Sequence, residues 1–337
     1  MSESKRNETF ADAYTSSIRA LLHSGSLVEP IQDVMSPGSR FGAAPRSTLE
    51  LMPYTLTFND ARSCLFLDTV KRIRLPYCYG LLLWTLNGSC DVKSLTYYHG
   101  GAPQFADSPE RMSGAFGNRM LVAKGDQLSR VIARLRSDRT SRRTVCLIAL
   151  PDDNLRSSRE YPCAISVQYM IRNEFLCSLS CMRSQSALMV LPYDVFLFCG
   201  LQLFVAATLG IPPGAYFHTC ASFHVYEDEL DLARKLLCSP TSAVAVAPMA
   251  GGKRLEELKS QERELRHAHE IGDSEFIKQS IRHTKRPTSF EDEAQLVLAA
   301  YAAEKSGLAD ESFEAVMRLE GSLQQLAAAN FNGVPND

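Results

Sequence analysis

Phe10, Ala13, Tyr14, Ile18, Leu21 and Leu22 recur at helical spacing and predict a helix over residues 8–24. A stretch rich in Gly, Pro and Ser at 36–46 predicts a loop. Alternation then takes over and predicts a strand across 49–58. Residues 77–86 form a short apolar run around the single tryptophan, Trp84, and close at Asn87-Gly88. Residues 98–118 show little period and much Gly, Pro and Ser, the mark of a long functional loop. A helix over 127–135 precedes strands at 145–150, 164–171 and 175–182, the last two joined by a hairpin turn near Arg172-Asn173. Residues 195–209 are apolar nearly all round, the pattern of a buried helix, and a further strand covers 215–226.

Beyond Pro248 the pattern changes. Ala250-Gly251-Gly252 breaks the chain, 253–271 is a strongly charged helix, and helices at 290–305 and 310–329 precede a polar tail. The expected organisation is an α/β (α+β) domain over 8–247, its large mixed or antiparallel sheet packed by helices. A helical C-terminal extension over 248–337 packs on or beside it.

The 337 residues are enough to bury a full core, and 45% apolar with 22% charged residues is an ordinary soluble composition. A net charge of −2 gives no polyelectrolyte signature, so neither nucleic acid nor a membrane surface is an expected partner. No run approaches the apolar length of a membrane span, and the first six residues lack the apolar core of a signal peptide. Ten cysteines without any CxxC pair, several inside apolar runs (Cys146, Cys177, Cys199), read as buried free thiols. The expectation is a cytoplasmic protein with no metal site.

One cysteine stands apart. Cys163 follows Pro162 at the opening of a strand, downstream of the polar loop 151–160, where a thiol can sit in a cleft and cationic neighbours can lower its pKa. Twenty residues on come Arg183-Ser184, then Asp194 in Leu191-Pro192-Tyr193-Asp194, then His224 and Tyr226 in Phe223-His224-Val225-Tyr226. A thiol, an anion-binding Arg-Ser pair, a carboxylate and a His-x-Tyr pair suit a small phosphorylated ring compound. Each has a plainer reading. Arg183 can be a solvated hairpin end, Arg142-Arg143 can cap the preceding helix, Asp194 can cap a helix opening at Val195, and His224 can be structural.

In this order the residues resemble the thymidylate synthase family, over about 36–236 and without a gap from Cys163 to Tyr226. The resemblance implies that Cys163 is a nucleophile that adds to C6 of a pyrimidine and makes C5 a carbon nucleophile. It implies a phosphate clamp of Arg142, Arg143, Arg183 and Ser184, with Arg40 in Arg40-Phe41-Gly42 or its competitor Arg46, and a homodimer in which Arg142 and Arg143 serve the neighbouring site. Gln168 matches the base-side glutamine, and His224 and Tyr226 match the pair that binds the sugar 3′-hydroxyl. Where the family carries Asn and reads uracil, this chain carries Asp194. A carboxylate accepts from the cytosine amino group and, when protonated, donates to N3. The phage deoxycytidylate hydroxymethylases share that Asp.

The chain departs from the family at its folate end. Leu81 stands for the glutamate of Glu-Leu-Leu-Trp, Ser186 for the Asp after Arg-Ser, and Val190 for a Gly. Ala102 and Phe105 stand for two tryptophans, Phe116-Gly117 for Tyr-Gly, and no C-terminal lid sequence is recognisable. These losses argue against reductive methylation. The reading is 5-hydroxymethylation of CMP or dCMP with 5,10-methylenetetrahydrofolate as the one-carbon source. Two alternatives stand beside it: a family member that uses another electrophile or no folate, and an idle nucleotide-binding protein. The residues do not separate ribose from deoxyribose.

Overall fold

The computed structural model describes residues 7–29, 46–155, 158–284 and 286–331. Arg40 and most of the loop expected over 36–46 lie outside them, as does the end of the tail.

The first helix, α1 (Phe10–Ser24), opens on a capping box: the Thr9 hydroxyl accepts from the Asp12 amide while the Asp12 carboxylate accepts from the Thr9 amide. Its apolar face brings Phe10, Tyr14 and Ile18 into the core. Strands β1 (Ser26–Val28), β2 (Thr48–Leu51) and β3 (Tyr54–Phe58) follow. The single strand expected over 49–58 is therefore two, broken at Met52-Pro53, where proline has no N–H to give to a ladder. Next come β4 (Leu65–Leu67), α2 (Leu75–Leu86), α3 (Val92–Tyr98), α4 (Phe116–Asn118) and α5 (Gln127–Ser137). The apolar run around Trp84 is thus a helix, and 98–118 is largely irregular.

Strand β5 (Val145–Leu147) leads to the long pair β6 (Ala164–Arg172) and β7 (Phe175–Ser186). Asn173 and Glu174 join them, both with positive φ, the two-residue turn whose twist matches that of the strands. Helix α6 (Leu191–Leu209) crosses over to β8 (Pro213–Tyr226), which runs parallel to β7. The main sheet has the order β1-β2-β8-β7-β6-β5, with β3 also on β8, and every pairing except β7–β8 is antiparallel. The architecture is a mixed α/β fold.

Helix α6 is long and apolar enough to span a membrane by composition, but most of it is buried inside the fold. Its apolar surface packs under the sheet, beside α2. On the sheet's helix-covered face Cys146, Val167, Tyr169 and Tyr216 are fully buried. The opposite face carries Val145 and Leu147, exposed, with half-buried Gln168, Leu179 and Phe217 alongside.

After β8 come α7 (Leu230–Cys238) and β9 (Ser242–Val244), which pairs with β4. Helices α8 (Gly252–Ile271), α9 (Ser274–His283), α10 (Phe290–Lys305), α11 (Ala309–Met317) and α12 (Gly321–Ala328) complete the described chain. The helix expected over 310–329 is two, divided before Gly321, whose φ is positive. Phe290 of α10 packs against Tyr79 and Phe196, the Tyr98 hydroxyl donates to Glu262, and the Leu75 amide donates to Asn330. The C-terminal helices so back the helices that support the site.

Candidate active site

Cys163 lies just before β6, half-buried, with its carbonyl accepting from the Arg183 amide on β7. The Arg183 guanidinium turns back onto the same segment. Its Nε donates to the Pro162 carbonyl at 2.9 Å, its Nη2 to the Tyr161 carbonyl at 3.0 Å, and Nη2 stands 3.8 Å from Cys163 Sγ, with the plane over the Tyr161 ring. Burial pushes the Cys163 thiol up, Arg183 pulls it down, and Asp194 adds to the rise. One arginine therefore both shapes the cysteine's loop and supplies the nearest positive charge.

Asp194 does not cap a helix. Leu191 and Pro192 already open α6, proline being suited to a first turn, so Asp194 is the fourth residue of the helix. Its amide donates to Val190, while its carboxylate Oδ2 accepts from Gln185 Nε2 at 2.9 Å. Burial pushes the carboxyl from its ordinary 3.8 to about 6, against the pull of the Gln185 amide. Such a group can accept a hydrogen bond when ionised and give a proton at near-neutral pH.

Strand β8 carries His224 and Tyr226 beside these groups, their rings edge to face at 5.3 Å. Ser184 on β7 is the cross-strand neighbour of Ser222, whose hydroxyl is 3.4 Å from His224 Nδ1. Burial lowers the His224 pKa, so the ring is neutral, with one N–H to give and one nitrogen to accept. Arg46 lies over the Tyr226 ring at 3.8 Å and pairs with Asp228. Of the two arginines weighed for the N-terminal loop, it is Arg46 whose position the structure describes.

Three candidates lie elsewhere in this chain. Arg142 and Arg143 are exposed, on the loop that enters β5. Gln168 turns toward that loop, its Nε2 donating to the Arg142 carbonyl at 2.8 Å. Five residues of strand separate Gln168 from Cys163, about 16 Å at the usual rise. One chain thus brings together Cys163, Arg183, Ser184, Asp194, His224 and Tyr226, and leaves Gln168, at the middle of β6, with Arg142 and Arg143 on the loop beside it, away from them.

Tyr77 meets Tyr193 and His99, each at 5.1 Å between ring centroids, and His99 meets Phe105 at 6.1 Å. This aromatic row runs from the residue before Asp194 out to an exposed ring, and Asp194 adds to the upward push on the Tyr77 hydroxyl. Leu81 packs beside Trp84, Leu95 and Ala102 in an apolar cluster. The Ser186 hydroxyl accepts from the Met189 amide. Among the described residues no three of His, Cys, Asp or Glu are grouped to hold a metal ion.

The sequence alone assigns no site role to Gln185, Tyr77 or His99. An uncharged amide directly after Arg183-Ser184 was a legible signal for Gln185. The aromatic row had none, because it joins three separate segments.

Residues 25–266 match the family model described as thymidylate synthase. A deoxyuridylate hydroxymethyltransferase of Pseudomonas phage M6 is 27% identical over 173 residues, which are 50% of this chain and 48% of the phage protein. The chain spans about half the length of that curated relative.

Proposed function

Because the chain belongs to the thymidylate synthase family, we propose that it transfers a one-carbon unit to C5 of a cytosine nucleoside monophosphate, CMP or dCMP, leaving a 5-hydroxymethyl group. The observation that carries this reading is Asp194, a carboxyl near Cys163 that burial pushes up to about 6 and that caps no helix. As the Cys163 thiolate forms its bond to C6, electron density moves from the C5–C6 double bond toward C5 and N3. Asp194 gives its proton to N3 while its other oxygen accepts from the amino group. Carbon 5 then bonds the one-carbon unit and loses its proton. Cleavage of the bond between the one-carbon unit and its carrier leaves an exocyclic methylene on C5. Water adds to it, and expulsion of Cys163 Sγ from C6 restores the C5–C6 double bond as N3 returns its proton to Asp194.

Methylenetetrahydrofolate supplies the carbon when bound. The residues present fit its flat ring system, since Tyr77, His99, Phe105 and Tyr193 offer a stacking wall that starts next to Asp194. The family's carboxylate for the pterin is Ser186 here, so recognition rests on stacking more than on charge.

Arg183 and Ser184 hold the nucleotide phosphate from within the chain, and Arg142 and Arg143 reach it from a second copy. Support for the pairing comes from the separation along β6 and from the open sheet face, where Val145 and Leu147 are 39% and 53% exposed. That face would be covered in a two-fold pair. His224 and Tyr226 take the sugar.

A uracil nucleotide is the second reading, favoured by the name of the phage relative. Mass spectrometry of CMP, dCMP, UMP and dUMP incubated with the protein, with and without methylenetetrahydrofolate, tests the assignment. A hydroxymethyl adduct on cytosine nucleotides only, and only with folate, supports it. An adduct on uracil nucleotides alone, or on none, refutes it.

A further inference from the structure

Behind Asp194 lies a chain of buried polar groups that the reaction scheme does not use. Gln185, 1% exposed, donates through Nε2 to Asp194 Oδ2, and its Oε1 is 3.1 Å from His218 Nε2. His218 is fully buried, with Nδ1 2.9 Å from both the Ser180 and the Tyr216 hydroxyls, which are 2.6 Å from each other. Every group has a partner, and the partners fix a direction. An ionised carboxylate only accepts, so the Gln185 amide nitrogen faces Asp194 and its oxygen faces His218. That oxygen needs a donor, so the ring proton is on Nε2, and Nδ1 accepts from a hydroxyl. A neutral ring has one N–H to give, and burial holds His218 neutral, its pKa lowered to about 3.

This direction has a consequence for base reading. A protonated carboxyl is ambivalent: with the proton on one oxygen it matches the donor–acceptor order of cytosine, and with the proton on the other it matches uracil. An N–H donor held against one oxygen favours the proton on the other. Resting on the assignment of Asp194 as the base reader, we propose that Gln185, oriented by His218, is a specificity-determining positioning residue. It commits Oδ2 as the acceptor and Oδ1 as the proton-bearing atom, and so lets Asp194 accept cytosine and reject uracil. Neither residue touches the base, and both act through the carboxyl. A side chain without hydrogen-bonding groups at position 185 would leave Asp194 free to exchange its two oxygens.

The test compares equilibrium affinities for CMP, UMP and ribose 5-phosphate in wild type, Gln185→Met and the double variant Gln185→Leu/His218→Phe. The double variant removes the relay's two central members together, so that neither an imidazole N–H nor an amide oxygen is left unpaired while Ser180 and Tyr216 still bond each other, and keeps the question answerable should Gln185→Met not fold. The expected result is a CMP-to-UMP affinity ratio reduced about tenfold, the cost of one unmatched buried polar group. Ribose 5-phosphate, which has no base, should keep its affinity within about twofold. A folded variant whose ratio equals that of a cytosine-preferring wild type would overturn the relay and leave the base assignment standing. A proportional loss for all three ligands would mean a structural role and also overturn it. A wild type without preference for CMP would remove the base assignment itself.

Discussion

Substituting Asp194 should change how stability depends on pH, before any substrate is added. The carboxyl titrates at about 6 in the folded chain against an ordinary 3.8. At about 1.4 kcal/mol per pH unit this is on the order of 3 kcal/mol. The sign follows from which state holds the proton more tightly. Between 3.8 and 6 the folded protein keeps a proton that the unfolded chain has lost. The stabilisation is therefore fully present below pH 4 and is lost as pH rises through 6. Asp194→Asn abolishes this titration while keeping a group that can pair with Gln185. The difference in unfolding free energy, variant minus wild type, should rise by about 3 kcal/mol between pH 4 and 7.5. In a chain of this size that is a relative gain of roughly 5 °C in Tm. Calorimetry or intrinsic fluorescence across that range, at fixed protein concentration without nucleotide, reads it directly. A flat difference would mean that Asp194 ionises like an exposed carboxyl and holds no proton for N3 near neutrality. A difference that falls with pH would mean that its pKa is depressed.

Three further outcomes follow from the site. Cys163→Ser should abolish tritium release from C5 and product formation while nucleotide affinity stays within about tenfold, because phosphate contacts dominate binding; retained turnover would remove covalent addition from the scheme. Arg183→Gln, which takes the charge from beside Sγ, should move the pH midpoint of Cys163 alkylation upward, followed by peptide mass spectrometry. An unmoved midpoint would confine Arg183 to phosphate binding and loop shape. Random mixing of Cys163→Ser with Arg143→Ala subunits should restore about a quarter of wild-type activity, one intact site in half of the pairs. No recovery, or a fully active monomer by ultracentrifugation, would contradict sites shared between copies.

The central strands were legible because their signals are local. Residues 164–171 and 175–182 are rich in strand-forming apolar residues, and a turn fits between them, so β6 and β7 fell within a few residues of expectation. Strands β1, β4 and β9 have three residues each, too few to show a period. Helix α9 was overlooked although Asp273 caps it, accepting from the Phe276 amide. Leu191-Pro192 announced the true start of α6, and with it that Asp194 is no cap. At the site, sequence order sufficed for Cys163, Arg183 and Asp194 because β6, β7 and α6 are consecutive in the chain. It could not show that Arg183 folds back on Tyr161 and Pro162, or that His218 stands behind Gln185, since both depend on how strands lie side by side.

The proposed preference for cytosine turns on Asp194, and kinetics can read it directly. The measurement is kcat/KM for CMP against UMP, and for dCMP against dUMP, in wild type and Asp194→Asn. The wild type should favour the cytosine member of one pair by about ten- to a hundredfold, the cost of leaving two acceptors face to face in a buried site. The substitution restores a donor beside the acceptor and should shift preference toward uracil, even if absolute rates fall because Leu81 offers no acid. A wild type that already prefers uracil, or a ratio that the substitution leaves unmoved, would contradict the account.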